Sequence, residues 1–596
     1  MRRFGVLGSL LVVAIGCGGP PAAVAPASPG AKLSAPRYAT TAPPSPAFVD
    51  PDRSKKIAAL VPKLEKRIAD YFAKEKPPSL AVVVVVDGKP LVTKLLAAPG
   101  TQSPTTKTLY RIGSITKTFT TEAVLALRDA GVWSLDEPAE KYLPELSHIE
   151  YPFADAQRFT LRQILTHTSG MPRLGDFDYT RNDRDVTEAE MMDALNRTSL
   201  ANAPGHEAVY SNFAMSLLGP MIARNAPEKS YRATIAKRVT EPLGMASTTF
   251  DPSTTPGADV AKGKPDQPWR LGASEASGGL WSSIDDMTKY LAFQMSAWPA
   301  RSDADSGPIK RATLREAHTP AFGMSLSGEV KAGQTKAFAS YVGLSWQVEA
   351  SCDFSRMVWH NGGIDGFRSV MAFLPEHGIG FVVLANWIEL DVEDLQYDLL
   401  EDIASVKLEP RVAQTVPELP SAVNRWGSTF TTCDDASYDS LFTKSFKSAV
   451  PREKYAELCK AQGAELGTCT ISETQKVKGP YDADYFMKCT KGPQIKVSAS
   501  IVQEDGATRF NGLRFAKRTP PSAAVLEAAR KALETNEKIK TNNGTCRLAP
   551  GAATALGDLP LECDKRKGVE LHIELDENGK VREVEAHVNR RGGRCI

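Results

Sequence analysis

Residues 109–131 read LYRIGSITKTFTTEAVLALRDAG and bring a serine and a lysine to the start of an apolar helix. Apolar side chains recur at helical spacing from Phe119 onward, and Gly131 is a typical helix end. Ser114 therefore lies at the helix mouth, where free N–H groups and the helix dipole favour a developing anion. Lys117 lies one turn away on the same side and can take the serine proton if burial keeps its amine neutral. By itself the pattern also fits a serine cap beside a solvated lysine.

The charge and motif content of the 596-residue chain excludes several classes of protein. Lys and Arg number 72 against 70 Asp and Glu, so the balance implies no nucleic-acid partner. There is no His-Glu-x-x-His and no other metal-ligand spacing of histidines, so we expect no metal. The chain also lacks a Gly-x-Ser-x-Gly elbow and a phosphate-binding glycine loop, which removes the main support for an α/β-hydrolase or a nucleotide enzyme. We expect no cofactor.

The N-terminus predicts export. Two arginines precede an apolar run at residues 6–15 that is too short to span a bilayer, as in a signal peptide covering residues 1–17. The run ends in small residues and Cys17, which resembles a bacterial lipoprotein signal whose cysteine is lipidated. We therefore expect a lipid-anchored protein of the bacterial cell envelope. Ala14 stands where leucine is usual, so ordinary secretion remains the alternative. Residues 18–50 are rich in Pro, Ala and Ser and predict a tether.

The segments around the serine predict a layered fold. Residues 52–74 form an amphipathic helix in which Pro62 indicates a kink or a later start. A β-branched run at 79–86, the turn Asp87-Gly88 and a second run at 91–96 predict a hairpin. A sheet beside a buried helix that carries the nucleophile is an α/β sandwich in outline.

Two further segments supply polar side chains to such a site. Residues 159–172 read FTLRQILTHTSGMP and predict a short helix followed by a Ser-Gly break. Tyr210-Ser211-Asn212 comes directly before an apolar helix at 213–222. Tyr210 and Asn212 project to the same side if the backbone is extended, so that a phenol and an amide face one space. An ordinary loop tyrosine is the alternative.

A glycine-rich hairpin completes the set. Residues 273–287 first supply a Gly/Ser loop, ASEASGGLWSSIDDM. Residues 358–387 then predict a β-hairpin whose first strand, at an edge, carries His360. Gly362 and Gly363 on that strand allow another backbone to come close.

Five motifs in this order resemble the serine β-lactamase-related family: Ser-x-x-Lys, ILTHTSG, Tyr-x-Asn, SGGLWSS and His-x-Gly-Gly. That family contains class C β-lactamases, DD-carboxypeptidases, D-aminopeptidases and esterases. The resemblance covers about residues 51–408. It implies an α/β (α+β) sandwich, with an antiparallel sheet flanked by helices and an all-helical subdomain, and acyl transfer through a covalent intermediate.

The resemblance also implies a role for each motif residue. Ser114 matches the nucleophile, Lys117 the residue that draws off its proton, and Tyr210 the second proton carrier. The substrate-binding positions are Asn212, which orients the substrate amide, together with His360, Gly362 and Gly363, and the N–H groups of Ser114 and Gly363 match the oxyanion hole.

His360 departs from the class C β-lactamases, which carry Lys-Thr-Gly on this strand. A neutral imidazole is a hydrogen-bonding group, and a charged one is a weaker carboxylate anchor than lysine at neutral pH. We therefore expect a D-amino-acid peptide or a carboxylic ester as substrate. β-Lactamase or penicillin-binding activity is one alternative, and a non-catalytic binding or sensor protein on a hydrolase scaffold is another. Substrate choice is expected to depend on loops at 173–186 and 303–340.

The composition changes after a proline-containing linker at 409–422. Seven of the nine cysteines lie beyond residue 430, which indicates a separate domain at 423–596 in an oxidising compartment. Two weakly repeated halves, about 423–518 and 520–596, each read as a helix followed by an antiparallel sheet. The helices are expected at 439–463 and 522–538.

Matching positions in the two halves predict disulfides. The expected pairs are Cys469–Cys489 and Cys546–Cys563, with Cys433–Cys459 as a third candidate. A helix followed by a curved sheet looks like small cystatin-like or nuclear-transport-factor-like domains, a likeness that carries no function. The domain is expected to bind or position something, such as cell wall, substrate or partner, or to be a purely structural extension.

Overall fold

The computed structural model describes most of the chain between residues 43 and 588. The described ranges are 43–517 without 256, 267 and 332–333, then residues 527 and 531, and the strand backbones 546–548, 558–563, 569–575 and 581–588. The signal peptide with Cys17, most of the tether and most of the helix expected at 522–538 lie outside them. Within these ranges, no helix is both long and apolar enough to cross a membrane.

An eight-stranded antiparallel sheet is the centre of the N-terminal part. Its strands follow the order β2-β1-β10-β9-β8-β7-β6-β5, and β3 pairs with β4 beside it. The bounds are β1 (Ser79–Val86), β2 (Lys89–Ala97), β3 (Tyr110–Arg111), β4 (Trp281–Ser282), β5 (Phe322–Lys331), β6 (Gln334–Val342), β7 (Gln347–Ser351), β8 (Met357–Ile364), β9 (Phe367–Leu374) and β10 (Ile379–Ala385).

Helices cover both faces of this sheet. The bounds are α1 (Arg53–Glu75), α2 (Thr116–Asp129), α3 (Leu161–Leu165), α4 (Glu188–Asn196), α5 (Asn212–Asn225), α6 (Tyr231–Ile235), α7 (Ile284–Ser296), α8 (Arg311–Ala317) and α9 (Val392–Ser405). Successive side chains of a strand point to opposite faces. Val82 and Val84 of β1 accordingly pack with α1 and α9, whereas Val83 and Val85 pack with α2, α7 and the helices between them. The predicted sandwich with its helical part is confirmed.

Two details differ from the sequence-based expectation. The helix α1 already begins at Arg53 and continues through Pro62, because Leu60, Leu64 and the later apolar residues of one face are fully buried against the sheet. A later start is therefore wrong. The strand β8 is not an edge of the sheet, because β7 lies beside it. However, β7 pairs only as far as Trp359, so from His360 onward the strand pairs, among the described residues, with β9 alone.

The C-terminal part has its own core of helices packed on a sheet. Its helices are α10 (Glu418–Ser428), α11 (Asp435–Leu441), α12 (Lys444–Ala449) and α13 (Arg452–Leu466), followed by the antiparallel sheet β11 (Cys469–Gly479), β12 (Asp482–Cys489), β13 (Ile495–Glu504) and β14 (Ala507–Lys517). The single helix expected at 439–463 is wrong. Thr443 caps a new helix with its side chain, and Pro451 comes directly before the next one.

Two of the predicted disulfides are present, Cys433–Cys459 and Cys469–Cys489. A further antiparallel sheet follows, with strands β15 (Cys546–Leu548), β16 (Asp558–Cys563), β17 (Val569–Leu575) and β18 (Val581–Val588). Cys546 and Cys563 are register partners in it. Their side chains are outside the described part of the structure, so this third disulfide stays a prediction.

Candidate active site

Ser114 lies on a tight turn that a neighbouring strand approaches closely. The turn Gly113–Ile115 leads directly into α2. Gly113 has a φ of +50°, and a Cβ there would lie 2.9 Å from the backbone nitrogen of Gly363. A Cβ on Gly362 would lie 2.0 Å from the carbonyl oxygen of Ile112. The glycines therefore allow β8 to contact the backbone on which the serine is carried.

Lys117 contacts the serine from within α2. Its Nζ lies 3.1 Å from Ser114 Oγ and donates to the Ser277 carbonyl oxygen at 2.6 Å. The side chain is fully buried. Burial, together with the positive charge of Arg173, lowers the pKa of Lys117 well below its ordinary value. A lowered pKa favours the neutral amine, which can accept the proton of the serine.

Tyr210 contacts the same serine from the loop before α5. Its hydroxyl faces the Ser114 side chain, and its ring centroid lies 4.9 Å from Lys117 Nζ. Burial raises the pKa of Tyr210, while the hydrogen bond to Ser114 acts in the opposite direction. The phenol is therefore protonated at neutral pH and is placed to give a proton to a group that leaves from Ser114.

His360 closes one side of the site as a neutral group. Its ring lies 6.3 Å from the Tyr210 ring, and its Nδ1 donates to the Asn361 carbonyl oxygen at 2.6 Å. Burial and the charge of Lys117 lower the pKa of His360 to about 3. Nε2 is buried and without a partner among the described residues, so it offers a lone pair. His360 can accept a hydrogen bond but brings no positive charge.

Asn212 follows Tyr210 by two residues and, among the described residues, forms no hydrogen bond to the cluster. It is the first residue of α5, and its N–H donates to the Arg173 carbonyl oxygen at 2.9 Å. Its side chain has no hydrogen-bond partner in the described part of the chain. The structure thus brings Ser114, Lys117 and Tyr210 into direct contact and leaves the Asn212 amide open.

His167 holds the loop that carries the tyrosine. Its Nδ1 accepts the N–H of Ser211 at 3.2 Å, and its ring lies 4.5 Å from that of Tyr210. Burial, followed by the charge of Lys117, lowers the pKa of His167 well below its ordinary value. This arrangement fits a residue that fixes a loop.

Two contributors were missed by sequence reasoning. The Ser277 carbonyl holds Lys117, and only the presence of the SGGLWSS segment pointed to that loop. Arg173 is exposed, and its guanidinium carbon lies 5.3 Å from the Tyr210 ring centroid. It directly follows THTSGMP, but a single arginine in a loop carries no signal of its own. Within the described ranges, no cluster of three or more His, Cys, Asp or Glu could hold a metal.

The chain matches a known protein family. The family described as Beta-lactamase matches residues 64–403, more than half of the chain. This chain belongs to the β-lactamase family. The resemblance drawn from the five motifs is therefore confirmed, and the members of the β-lactamase family are serine hydrolases.

Relatives within the β-lactamase family include two curated bacterial proteins. D-alanyl-D-alanine-carboxypeptidase/endopeptidase AmpH of Escherichia coli K12 is 30% identical over 341 residues, which are 54% of this chain and 83% of that protein. Protein flp of Staphylococcus aureus N315 is 28% identical over 344 residues, 54% of this chain and 62% of its own length. A solved β-lactamase/D-alanine carboxypeptidase from Yersinia pestis, complexed with citrate, is 27% identical and covers 58% of this chain and 98% of its own, with a TM-score of 0.47.

Proposed function

We propose that the protein forms an acyl-enzyme on Ser114 and hydrolyses a D-amino-acid peptide or a carboxylic ester. One observation carries the proposal. The Ser114 hydroxyl lies 3.1 Å from the buried amine of Lys117, and the Tyr210 hydroxyl interacts with the same side chain. Acyl transfer requires a base that takes the proton of the nucleophile and an acid that protonates the leaving group. Lys117, whose neutral form is favoured, and the protonated Tyr210 fit these two roles.

The reaction divides into two proton-balanced steps. In acylation, Ser114 Oγ bonds to the substrate carbonyl carbon and gives its proton to Lys117. Tyr210 gives its proton to the leaving amine or alkoxide as the scissile bond breaks, and Lys117 returns a proton to Tyr210. In deacylation, water attacks the ester on Ser114, passing its proton through the same pair and restoring the serine. The backbone N–H groups of Ser114 and Gly363 are the proposed oxyanion hole.

His360 and the relatives both bear on the substrate class. A neutral imidazole supplies no charge for the carboxylate that the lysine of class C β-lactamases helps to hold, which disfavours efficient penicillin hydrolysis. The first relative named above is a D-alanyl-D-alanine carboxypeptidase. The relative favours a peptide that ends in D-alanine, whose carboxylate a group other than His360 would have to bind.

A substrate panel tests the proposal. Diacetyl-L-lysyl-D-alanyl-D-alanine, p-nitrophenyl acetate and nitrocefin are incubated with wild type, Ser114→Ala and the control Ser147→Ala. Ser147 is an exposed serine whose hydroxyl donates to the Pro144 carbonyl oxygen. We expect release of D-alanine or nitrophenol by wild type and the control, and a rate at least about a thousandfold lower for Ser114→Ala.

Three results would contradict the proposal. The absence of peptide and ester hydrolysis by wild type rejects a hydrolase, and covalent acylation that never turns over favours a sensor protein. Nitrocefin hydrolysis much faster than peptide hydrolysis favours a β-lactamase.

A further inference from the structure

We infer that Arg173 binds a free carboxylate on the leaving group of the substrate and so makes the enzyme selective for C-terminal residues. This inference rests on the proposed function, because it names what the same site selects. Arg173 would be a substrate-binding residue with no part in the proton transfers.

The backbone of Arg173 is fixed to the segment that carries the tyrosine. Its carbonyl oxygen accepts the N–H groups of Asn212 at 2.9 Å and Phe213 at 3.3 Å. Next to it, the Pro172 carbonyl oxygen accepts the hydroxyl of Ser211 at 2.6 Å. These bonds hold Arg173 beside Tyr210, although it lies on an exposed loop.

The guanidinium itself is free to bind an anion. It lies over the Tyr210 ring, 5.3 Å from the centroid, and the residue is exposed. In the described part of the chain it forms no ion pair. The other cations of the same loop differ, because Arg181 and Arg184 both bind Glu190. An arginine whose donors are open suits a carboxylate, which it can bind with two parallel hydrogen bonds.

The other basic groups near Ser114 are less suitable. Lys117 is buried and already bonded to the serine and to a carbonyl, and His360 is neutral. Arg111 forms a buried ion pair with Asp365. Each of these groups is either uncharged or already engaged.

Arg368 is a further rival, close to Gly363, and it lies on the face of the sheet away from the serine turn. A Cβ on Gly363 would lie 2.7 Å from Arg368 Nη1. Side chains alternate along a strand, and a Cβ on Gly362 points toward the serine turn. The preceding residue, Asn361, bonds Glu393 of α9 on the opposite face. Gly363 and the Arg368 guanidinium therefore lie on the α9 face.

The chemistry of the leaving group places its carboxylate near Arg173. Tyr210 protonates the departing amine, so that nitrogen lies at the Tyr210 hydroxyl. In a C-terminal amino acid one carbon separates the amine from the carboxylate. The carboxylate thus comes within reach of the long side chain that lies against the same ring.

Binding to an enzyme that cannot be acylated tests the inference separately from turnover. Calorimetry compares diacetyl-L-lysyl-D-alanyl-D-alanine with its C-terminal amide on Ser114→Ala. We expect the acid to bind at least about tenfold more tightly than the amide. Introducing Arg173→Gln into Ser114→Ala is expected to make the acid and the amide bind equally well. Introducing Arg173→Lys instead should keep part of the preference for the acid.

Matched controls identify the arginine responsible. Arg184→Gln removes the same charge from the same loop, and Arg368→Gln removes the rival, and both should keep the acid-to-amide ratio. Equal binding of acid and amide, no binding of the acid, or loss of the ratio in Arg368→Gln rather than in Arg173→Gln would overturn the inference. A kept ratio without turnover by wild type would instead reject the proposed hydrolase and leave carboxylate binding in place.

Discussion

Burial decides the protonation states of the reacting residues. The types and order of Ser114, Lys117 and Tyr210 could be predicted from motifs, because nucleophilic attack and each proton transfer need a particular type of side chain. Their protonation could not, because the atoms that bury Lys117 and His360 come from segments far away in the chain. Arg173 was missed for the same reason, since only the folded loop brings it to the Tyr210 ring.

The pH dependence of kcat/KM should report this burial. Because burial lowers the pKa of Lys117, its neutral form is present well below the ordinary value of 10.5. Tyr210 keeps its proton beyond its ordinary value of 10.0. We expect the rate of peptide hydrolysis to reach its plateau below about pH 10. A rate that still rises tenfold per pH unit there would show an unperturbed lysine.

A buried polar chain lies behind the nucleophile helix. Trp298 Nε1 donates to His318 Nδ1 at 3.2 Å, so His318 Nε2 is the donor to Gln294 Oε1 at 2.9 Å. Gln294 in turn donates to Glu122 of α2. Burial lowers the pKa of His318 to about 3 and raises that of Glu122 to about 8. Both groups are therefore mainly neutral at pH 7.

Glu122→Gln should change how stability depends on pH. The unfolded chain loses the Glu122 proton near 4.5 and the folded chain near 8. Its stabilising effect is thus complete below about pH 4.5 and is lost as pH rises to about 8, by about 1.4 kcal/mol per pH unit. Urea unfolding should give similar free energies for both proteins at about pH 4.5 and a growing advantage of the glutamine variant above it. Parallel curves would contradict a raised pKa.

At the scale of elements, local signals predicted α2, α3 and the hairpin β1–β2 well. The capping box of α3 between Thr160 and Gln163 is a sequence-local pattern. The neighbours of β8 could not be predicted, because strand order depends on pairings between distant segments. The strand β8 can contact the serine turn closely because Gly113 and Gly362 have no side chains.

Gly362→Ala should separate β8 from the serine turn. The added Cβ would meet the Ile112 carbonyl oxygen at 2.0 Å, so the strand must shift. We expect a loss of about 1–3 kcal/mol in unfolding free energy and a lower kcat/KM. Gly323→Ala on β5 is the control, since the nearest described atom beyond its chain neighbours would lie 3.9 Å from the added Cβ, in Tyr341. Equal stability and activity of the two variants would contradict a tight contact at Gly362.

At the scale of the molecule, two cores are built by different means. The N-terminal sandwich is stabilised by apolar packing on both faces of its sheet. The C-terminal part adds two disulfides, with the bonded cysteines 26 and 20 residues apart. Composition alone indicated this change, whereas the helix breaks at Thr443 and Pro451 were missed because a continuous apolar pattern hid the local caps.

Reduction should affect the C-terminal part only. With loops of about this length, each disulfide contributes about 3 kcal/mol to the free energy of unfolding. Adding dithiothreitol should lower one calorimetric transition and leave the other transition and the hydrolysis rate unchanged. The double variant Cys433→Ala/Cys459→Ala should lower the same calorimetric transition and leave the other transition and the hydrolysis rate unchanged. A fall in hydrolysis on reduction would contradict this separation.

Covalent labelling tests the central claim, that Lys117 and Tyr210 activate Ser114 as the nucleophile. Intact-mass and peptide-mass measurements follow the reaction with a fluorophosphonate. We predict a single adduct on the peptide that carries Ser114, none on Ser114→Ala, and labelling of Lys117→Ala at least about a hundredfold slower. An adduct on another residue, or no adduct on wild type, would contradict the account.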